Sequence, residues 1–553
     1  MRRLGLVAVL GILTGCGGGG AGEPEPLPSG VEPWFAEVAV ERGVDVAHSS
    51  GHAERYLFPE IVCGGAALLD MEGDGDLDFY LVQSEGALVE RATRGGNRLY
   101  ENDGGARFRD VTAGSGADDR GFGMGAATGD VDGDGATDLY VSNLGRNALL
   151  ANRGGGRFED VTSTVGGGEE LWSASAGFLD YDRDGDLDLW VVNYVLWSEA
   201  VERTCYAHPH GETYCGPRAY DAPAPDTLYR NDGSRLVEVS EAAGLLGSPG
   251  NGLGIATLDF DLDGWVDVFV ANDATEDQMW ANQGDGRFVD RGLELGCAAD
   301  QEGLVKAGMG VGVIDQDDDG DEDLLVVNME GEPDSFFRNE RTYFTDRTAA
   351  LGILGTSRAY NRFGVGFVDF DHDGWLDLYI ANGNILHAQE TAGPDPFIEP
   401  NLLFRGTSGG RMKEVEPRGG TWPELRHTSR GAAFGDLDND GDVDLFVVNK
   451  DGPTYLLENR VGAERGGWVG LDVREVGGRP ALDATVTLRL GQRVLTRRVR
   501  TASSYCSAND PRVHVGLGDE GGVTEVTVRW ADGVEESFGA LDAGSYHVLR
   551  RAR

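Results

Sequence analysis

The chain has 553 residues, 40% of them hydrophobic and 86 of them Gly, with 94 acidic against 47 basic side chains and a formal net charge of −47. It is long enough to bury a large core and to hold more than one domain. Its charge argues against nucleic acid as a partner, because phosphate contacts need basic stripes that the sequence lacks.

Arg2 and Arg3 precede an apolar run from Leu4 to Leu13, too short to span a bilayer. The run ends in Leu13-Thr14-Gly15-Cys16, which resembles the bacterial lipobox. That resemblance implies a lipoprotein signal peptide over 1–15, cut before Cys16, which then carries the lipid. An ordinary signal peptide with an incidental Cys is the alternative. Residues 16–33, rich in Gly and Pro, read as a flexible tether. The expected address is the cell envelope with the membrane reached through the lipid alone. In a Gram-negative cell it is the outer membrane, since Gly17 stands where inner-membrane retention uses Asp.

From residue 34 the chain repeats itself. A nine-residue pattern with acids at positions 1, 3, 5 and 9 and Gly at 6 occurs seven times. The first copy is Asp70, Glu72, Asp74 and Asp78, with Asp76 at position 7; the second is Asp130, Asp132, Asp134 and Asp138, with Ala136. The third is Asp180, Asp182, Asp184 and Asp188, with Asp186; the fourth is Asp259, Asp261, Asp263 and Asp267, with Trp265. Next come Asp315, Asp317, Asp319 and Asp323 with Asp321, then Asp369, Asp371, Asp373 and Asp377 with Trp375. The seventh is Asp436, Asp438, Asp440 and Asp444, with Asp442. Carboxylates at this spacing, plus the backbone carbonyl of position 7, converge on one hard cation, and Ca²⁺ takes six to eight such oxygens. Up to seven structural Ca²⁺ ions are expected. The loops hold 34 of the acidic residues in 63 positions, and without those charges the net would be about −13. An EF-hand is excluded: position 12 is Leu81, Val141, Val191, Val270, Val326, Ile380 or Val447 instead of Glu, and the flanks read as strands.

The repeat is longer than its loop. Gly stands five residues before the first Asp at Gly65, Gly125, Gly254, Gly310, Gly364 and Gly431, with Ser175 in the third copy. An alternating apolar strand follows each loop and ends at Gln83, Asn143, Asn193, Asn272, Asn328, Asn382 or Asn449. Further strands carry Leu99-Tyr100-Glu101-Asn102 and Phe108-Arg109-Asp110-Val111-Thr112, with counterparts in later copies. About four strands in roughly 50–80 residues make one propeller blade. The expected fold is all-β: a seven-bladed β-propeller over 34–460 with calcium-binding hairpin loops. The last unit lacks its Phe-x-Asp-Val strand, and Phe35-Ala36-Glu37-Val38 is expected to supply it and close the ring.

Asn193 to Ala224 interrupts the third unit with Cys205, His208, His210 and Cys215. A disulfide between Cys205 and Cys215 is the first reading in an exported chain. Zinc on two Cys and two His, or two free thiols, are the others. Cys63, Cys297 and Cys506 have no evident mates. Residues 466–553 carry strand-like runs such as Val526-Thr527-Val528-Arg529-Trp530, are richer in Arg and poorer in Asp loops, and read as a small separate β domain.

The Asp loops with Leu-Tyr-x-Asn and Phe-x-Asp-Val-Thr resemble FG-GAP/VCBS repeats, the blades of integrin α-subunit propellers. Ser503-Ser504-Tyr505-Cys506-Ser507-Ala508-Asn509-Asp510-Pro511-Arg512 is similar to the signature of the ASPIC/UnbV domain, with Cys506 as a departure. Propeller and domain together resemble the cartilage acidic protein 1 family, as do Pro59-Glu60, Tyr214-Cys215-Gly216-Pro217 and Ala307-Gly308-Met309-Gly310. The resemblance implies a secreted calcium-binding adhesion or matrix-type protein and no reaction. There is no G-x-S-x-G, H-E-x-x-H or phosphate-loop motif. His48, His52 and His427 are minor candidates, and His514 and the Asp510–Arg512 pair read as structural. The expected function is an envelope scaffold presenting its loops to a protein or glycan. A lectin stacking sugars on Tyr194, Trp197, Tyr206, Tyr214 and Tyr220 is one alternative. A hydrolase or redox enzyme at the central opening or the Cys205–Cys215 loop is the other.

Overall fold

The computed structural model describes residues 27, 30–90, 93–209, 211–386, 395–461 and 466–552. Cys16, with the signal and lipidation reading, and His210 lie outside them.

Each repeat folds into an antiparallel sheet because its apolar residues alternate and its loop closes a tight hairpin. In the second unit the strands are Phe122–Gly129, Asp138–Arg146, Ala148–Asn152 and Phe158–Asp160. Gly129 faces Asp138 across the hairpin, so the acidic loop starts where pairing ends. The described residues form seven such four-stranded units, the second and third also joined where Glu170–Trp172 pairs with Leu144–Arg146. The first strands are Ala66–Leu69, Phe122–Gly129, Glu170–Leu179, Gly252–Leu258, Val311–Ile314, Arg362–Val368 and Ser429–Gly435. Each lies against the next, and the seventh lies against the first. The architecture is an all-β propeller. Phe35–Glu37 pairs with Leu457–Asn459 at the outside of the last sheet, so the two ends of the repetitive region share one sheet.

The apolar core sits between neighbouring sheets. Phe79 of the first unit stacks on Phe446 of the last at 3.8 Å, and Leu258, Phe269, Val313 and Phe337 fill the space between the fourth and fifth. The recurring Gly before each loop is explained by approach near the axis. A Cβ on Gly310 would lie 2.0 Å from the Phe363 carbonyl of the next sheet, and one on Gly254 would lie 2.3 Å from that of Met309.

Residues beyond Gly467 form two packed sheets. Gly467–Arg474 lies between Val513–Gly518 and Tyr546–Arg550, and the other sheet runs Arg493–Arg498, Thr485–Leu490, Gly522–Arg529, Glu535–Asp542. One segment leaves this sandwich and enters the ring. Ser507–Ala508 pairs in parallel with Ala66–Ala67, adding a strand to the first sheet. Ser504 exchanges backbone bonds with Val311, the Ala126 amide donates to the Cys506 carbonyl, and Asp510 donates to the Phe434 carbonyl. The Cys506 amide donates to Ser175 Oγ at 3.1 Å, and the buried Tyr505 hydroxyl reaches the Val62 carbonyl at 2.5 Å. The axis of the propeller is therefore filled by the domain's own chain, satisfying inner-strand polar groups that an empty channel would leave to water.

Candidate metal centres and the two faces of the ring

The seven acidic loops share one backbone. Position 6 Gly adopts φ of 88–97° in every copy, the left-handed region that glycine tolerates. Position 4 is left-handed too, at Gly73 and Gly133 but also at Arg183, Leu262, Asp318, His372 and Asn439, which sequence reasoning missed. These two turns aim successive amides inward. The Gly amide donates to Oδ2 of the position 1 Asp at 2.8–3.2 Å in all seven copies. The position 7 amide donates to the position 5 carboxylate, as in Trp375 to Asp373 at 3.0 Å.

Position 9 is held hardest. One oxygen accepts from the amide of position 2 at 2.9–3.3 Å, the other from a third-strand amide at 2.7–2.9 Å. The structure gathers Asp130, Asp132 and Asp138, and likewise Asp180/182/188 and Asp369/371/377, with one oxygen from each within 4.8 Å of the others. In the fourth and fifth loops the close sets are Asp259, Asp261 and Asp263, and Asp315, Asp317 and Asp319. Position 7 side chains turn elsewhere: Asp76 accepts from Asn439, Asp321 pairs with Arg341, and Trp265 and Trp375 lie under Arg183 and Arg493. That leaves their carbonyls as the groups available to a cation.

The chemistry of the donor set fits a hard divalent ion. Oδ1 of Asp180, Asp259, Asp369 and Asp436 is buried with no hydrogen-bond partner, although Oδ2 of each is bonded. Burial, with neighbouring carboxylates, pushes Asp180, Asp315 and Asp436 up to about 7 and Asp369 to about 8. Burial does the same at position 9, raising Asp138 to about 7, Asp323 to about 8, and Asp78 and Asp188 to about 9. A cation among these oxygens replaces the repulsion with attraction.

The C-terminal domain sits on the loop face, and its arginines meet the acids there. Arg529 binds Asp259 at 2.8 Å, Arg493 binds Asp318 at 2.7 Å, Arg498 binds Glu322 at 3.2 Å, and the Tyr546 hydroxyl donates to Asp436 at 2.9 Å. Arg512 pairs with Asp510 at 2.8 Å and also donates to the Asp436 carbonyl, so that pair locks the segment that enters the ring.

The second strands run away from the loops, so the insertion after Asn193 lies at the other end of the ring. There Cys205 and Cys215 are joined by a disulfide. Cys63, Cys297 and Cys506 are buried free thiols. The three short motifs noted before are brought together. His52 binds Glu60 at 2.8 Å and Tyr214 at 3.2 Å. Cys215, Gly216, Pro217, Ala307 and Met309 line a recess of about 150 Å³ with Phe58, Tyr194 and Phe363. Of the insertion's aromatics, Tyr194, Tyr214 and Tyr220 are core residues and Trp197 packs against them, whereas Tyr206 is 71% exposed. His48 is buried against Ser84, and His514 stacks on Trp468.

A ring of four-stranded sheets, each with an Asp-rich loop after its first strand, defines a β-propeller of FG-GAP-like repeats, and the model of that repeat matches residues 70–141, 130–191, 259–326 and 315–380. The ASPIC and UnbV model matches residues 475–553. The chain is 28% identical to cartilage acidic protein 1 of Xenopus tropicalis over 280 residues, 48% of this chain and 40% of that protein. It is 27% identical to the Homo sapiens protein over 340 residues, 58% and 48% of the two chains. FG-GAP-like repeats followed by an ASPIC and UnbV domain, together with these relatives, support placing the chain with the cartilage acidic protein 1-like family; it spans less than half the length of these curated relatives. Among solved structures, an Agrocybe aegerita lectin that recognises non-reducing terminal N-acetylglucosamine superposes with a TM-score of 0.37 at 14% identity, covering 71% of this chain and 87% of that one. BBS1N in complex with ARL6DN gives 0.40 at 9% identity, covering 78% and 100%. Neither says what this chain binds.

Proposed function

We propose that this protein is an exported calcium-binding scaffold of adhesion type. Each acidic loop holds a Ca²⁺ through positions 1, 3, 5 and 9 and the position 7 carbonyl, and the metal is structural. The observation that carries the reading is the buried, unpartnered Oδ1 of Asp180, Asp259, Asp369 and Asp436, each fixed by its own loop amide and facing further carboxylates. Calorimetric titration of metal-stripped protein tests it: saturable binding of several Ca²⁺ supports the proposal, and no heat ends it.

With the loop face covered by the C-terminal domain, the surface for a protein or glycan partner is the opposite one. Support comes from the convergence there of the Pro59-Glu60, Tyr214–Pro217 and Ala307–Gly310 segments. A glycan array run with and without calcium separates a protein-binding scaffold from a lectin. The proposed address is the cell envelope, with attachment through a lipid on Cys16, which mass spectrometry of the mature N-terminus checks.

A further inference from the structure

Between the ring and the C-terminal domain lies another recess, about 170 Å³ in volume. Val313, Val365, Phe367 and Phe434 wall it from the ring, and Arg497, Arg498, Arg500 and Arg512 line it from the domain. Among the described residues the carboxylates lining it are Glu322 and Asp510, so the lining has an excess of positive charge in a chain whose net charge is −47. Three of the arginines are matched: Arg498 and Arg500 share Glu322, and Arg512 holds Asp510. Arg497 is not. Among the described residues no carboxylate oxygen lies within 4.0 Å of it, and its hydrogen bond goes to the Thr496 carbonyl at 2.8 Å. Nε of Arg500 is likewise buried without an acceptor.

Arg497 offsets the acidic loops from a distance, since Asp315, Asp318 and Asp369 all act on it. Two of those three belong to positions that calcium would neutralise. Once the loops are loaded, this half-buried guanidinium against apolar walls loses that compensation, and a charge partly withdrawn from water without a partner is unfavourable.

We propose that this recess is a site for one small oxyanion, a sulfate, phosphate or carboxylate group, bound by the guanidinium of Arg497 and filled in the calcium-loaded protein. This rests on the calcium reading above. The guanidinium fork presents paired N–H donors that match two oxygens of such an anion, and the apolar walls strengthen the attraction. A bound anion would tie the domain to the ring on the side where the loops end.

The test titrates sulfate, and separately acetate, into the full chain at constant ionic strength set with chloride, after calcium binding has been measured alone. The expected result is saturable one-to-one sulfate binding to loaded protein, weakened about tenfold or more in Arg497→Gln, with the calcium count unchanged. Arg497→Lys, which keeps the charge and loses the fork, should fall between. Saturable binding of acetate alone would assign the site to a carboxylate ligand. No saturable binding of either anion, or equal binding by Arg497→Gln, overturns the proposal. If the protein takes up no calcium, the same comparison on metal-free chain decides: sulfate binding lost in Arg497→Gln upholds the site, and its absence removes it.

Discussion

The side-chain amide of Asn152 donates to the Met71 carbonyl at 2.8 Å, crossing from the second sheet to position 2 of the first sheet's acidic loop. The same amide donates to Thr137 of its own loop, and the Asn152 backbone donates to Asp138. Asn102, Asn231, Asn282, Asn339 and Asn459 repeat the bond to Leu437, Val131, Tyr181, Phe260 and Phe370, each in the preceding loop. The sixth sheet has Gly406 at that place, where only the backbone bond to Asp377 remains. Six of the seven sheet boundaries thus carry one polar clasp that ties loop to loop.

Asn152→Ala should be expensive for so small a change. It leaves the buried Met71 carbonyl and the half-buried Thr137 carbonyl without that donor, at about 1–3 kcal/mol for the buried one and less for the other. The expected loss is about 2–4 kcal/mol in denaturant unfolding, with calcium weakened at the first and second loops. A loss below about 0.5 kcal/mol, the scatter of neutral surface changes, would show that water replaces the clasp.

Removing calcium should destabilise the whole ring. At a free concentration of ten times Kd each site adds about 1.4 kcal/mol, and seven add on the order of 10 kcal/mol. That is comparable to the net stability of an ordinary domain. Chelation should lower Tm by more than about 10 °C, and readdition of calcium should restore it. A shift of a degree or two would mean that the amides alone hold the loops together.

Much of this is legible in the sequence. Register across seven copies exposed the sheets, the loops and the position 6 Gly, because repetition turns a weak local signal into a strong one. Other features left no local trace. Left-handed backbone at Arg183, Leu262 and His372 is imposed by the loop and not by residue type. The terminal Asn of Leu-Tyr-x-Asn was visible as a pattern, but its partner lies in the preceding unit. Ser507–Ala508 pairs with Ala66–Ala67, hundreds of residues away, and no periodicity reports such a contact. The aromatics of the insertion looked like a sugar platform because composition does not reveal burial, and most of them pack into the core.

Calcium and protons should compete. Burial raises the folded-state values of Asp369 and Asp323 to about 8 and of Asp78 and Asp188 to about 9 in the metal-free protein. A raised value means that the folded state binds protons more tightly than the unfolded chain, so metal-free protein gains stability as pH falls through 9 to 7. That gain is complete only as pH approaches the unfolded carboxylate range near 4. Calcium affinity should move the other way, weakening over the same interval as each ion displaces protons. Unfolding curves at pH 6 and pH 9 with chelator, beside calcium titrations in two buffers of different ionisation enthalpy, check both signs. Metal-free protein that is more stable at pH 9 would refute the first, and calcium binding without proton release the second.

The filled axis makes the sharpest steric prediction. A Cβ on Gly65 would lie 2.1 Å from the Cys506 carbonyl and 2.7 Å from both the Met124 carbonyl and Gly125 Cα, all backbone atoms that cannot swing aside. Gly65→Ala must therefore move the first sheet, the second sheet or the entering segment, at a cost of about 3 kcal/mol or more. The cheapest escape is withdrawal of Ser503–Asp510, which would undo the Ser507–Ala508 strand and the Tyr505 bond to Val62 while leaving the sheets intact. Limited proteolysis should then cut near Tyr505 in the variant and not in the parent. Gly216→Ala is the control, since a Cβ there meets no atom within 4 Å and its φ of −112° suits any residue. Equal stability and equal protease resistance of Gly65→Ala and Gly216→Ala would show that the C-terminal segment does not occupy the axis in solution.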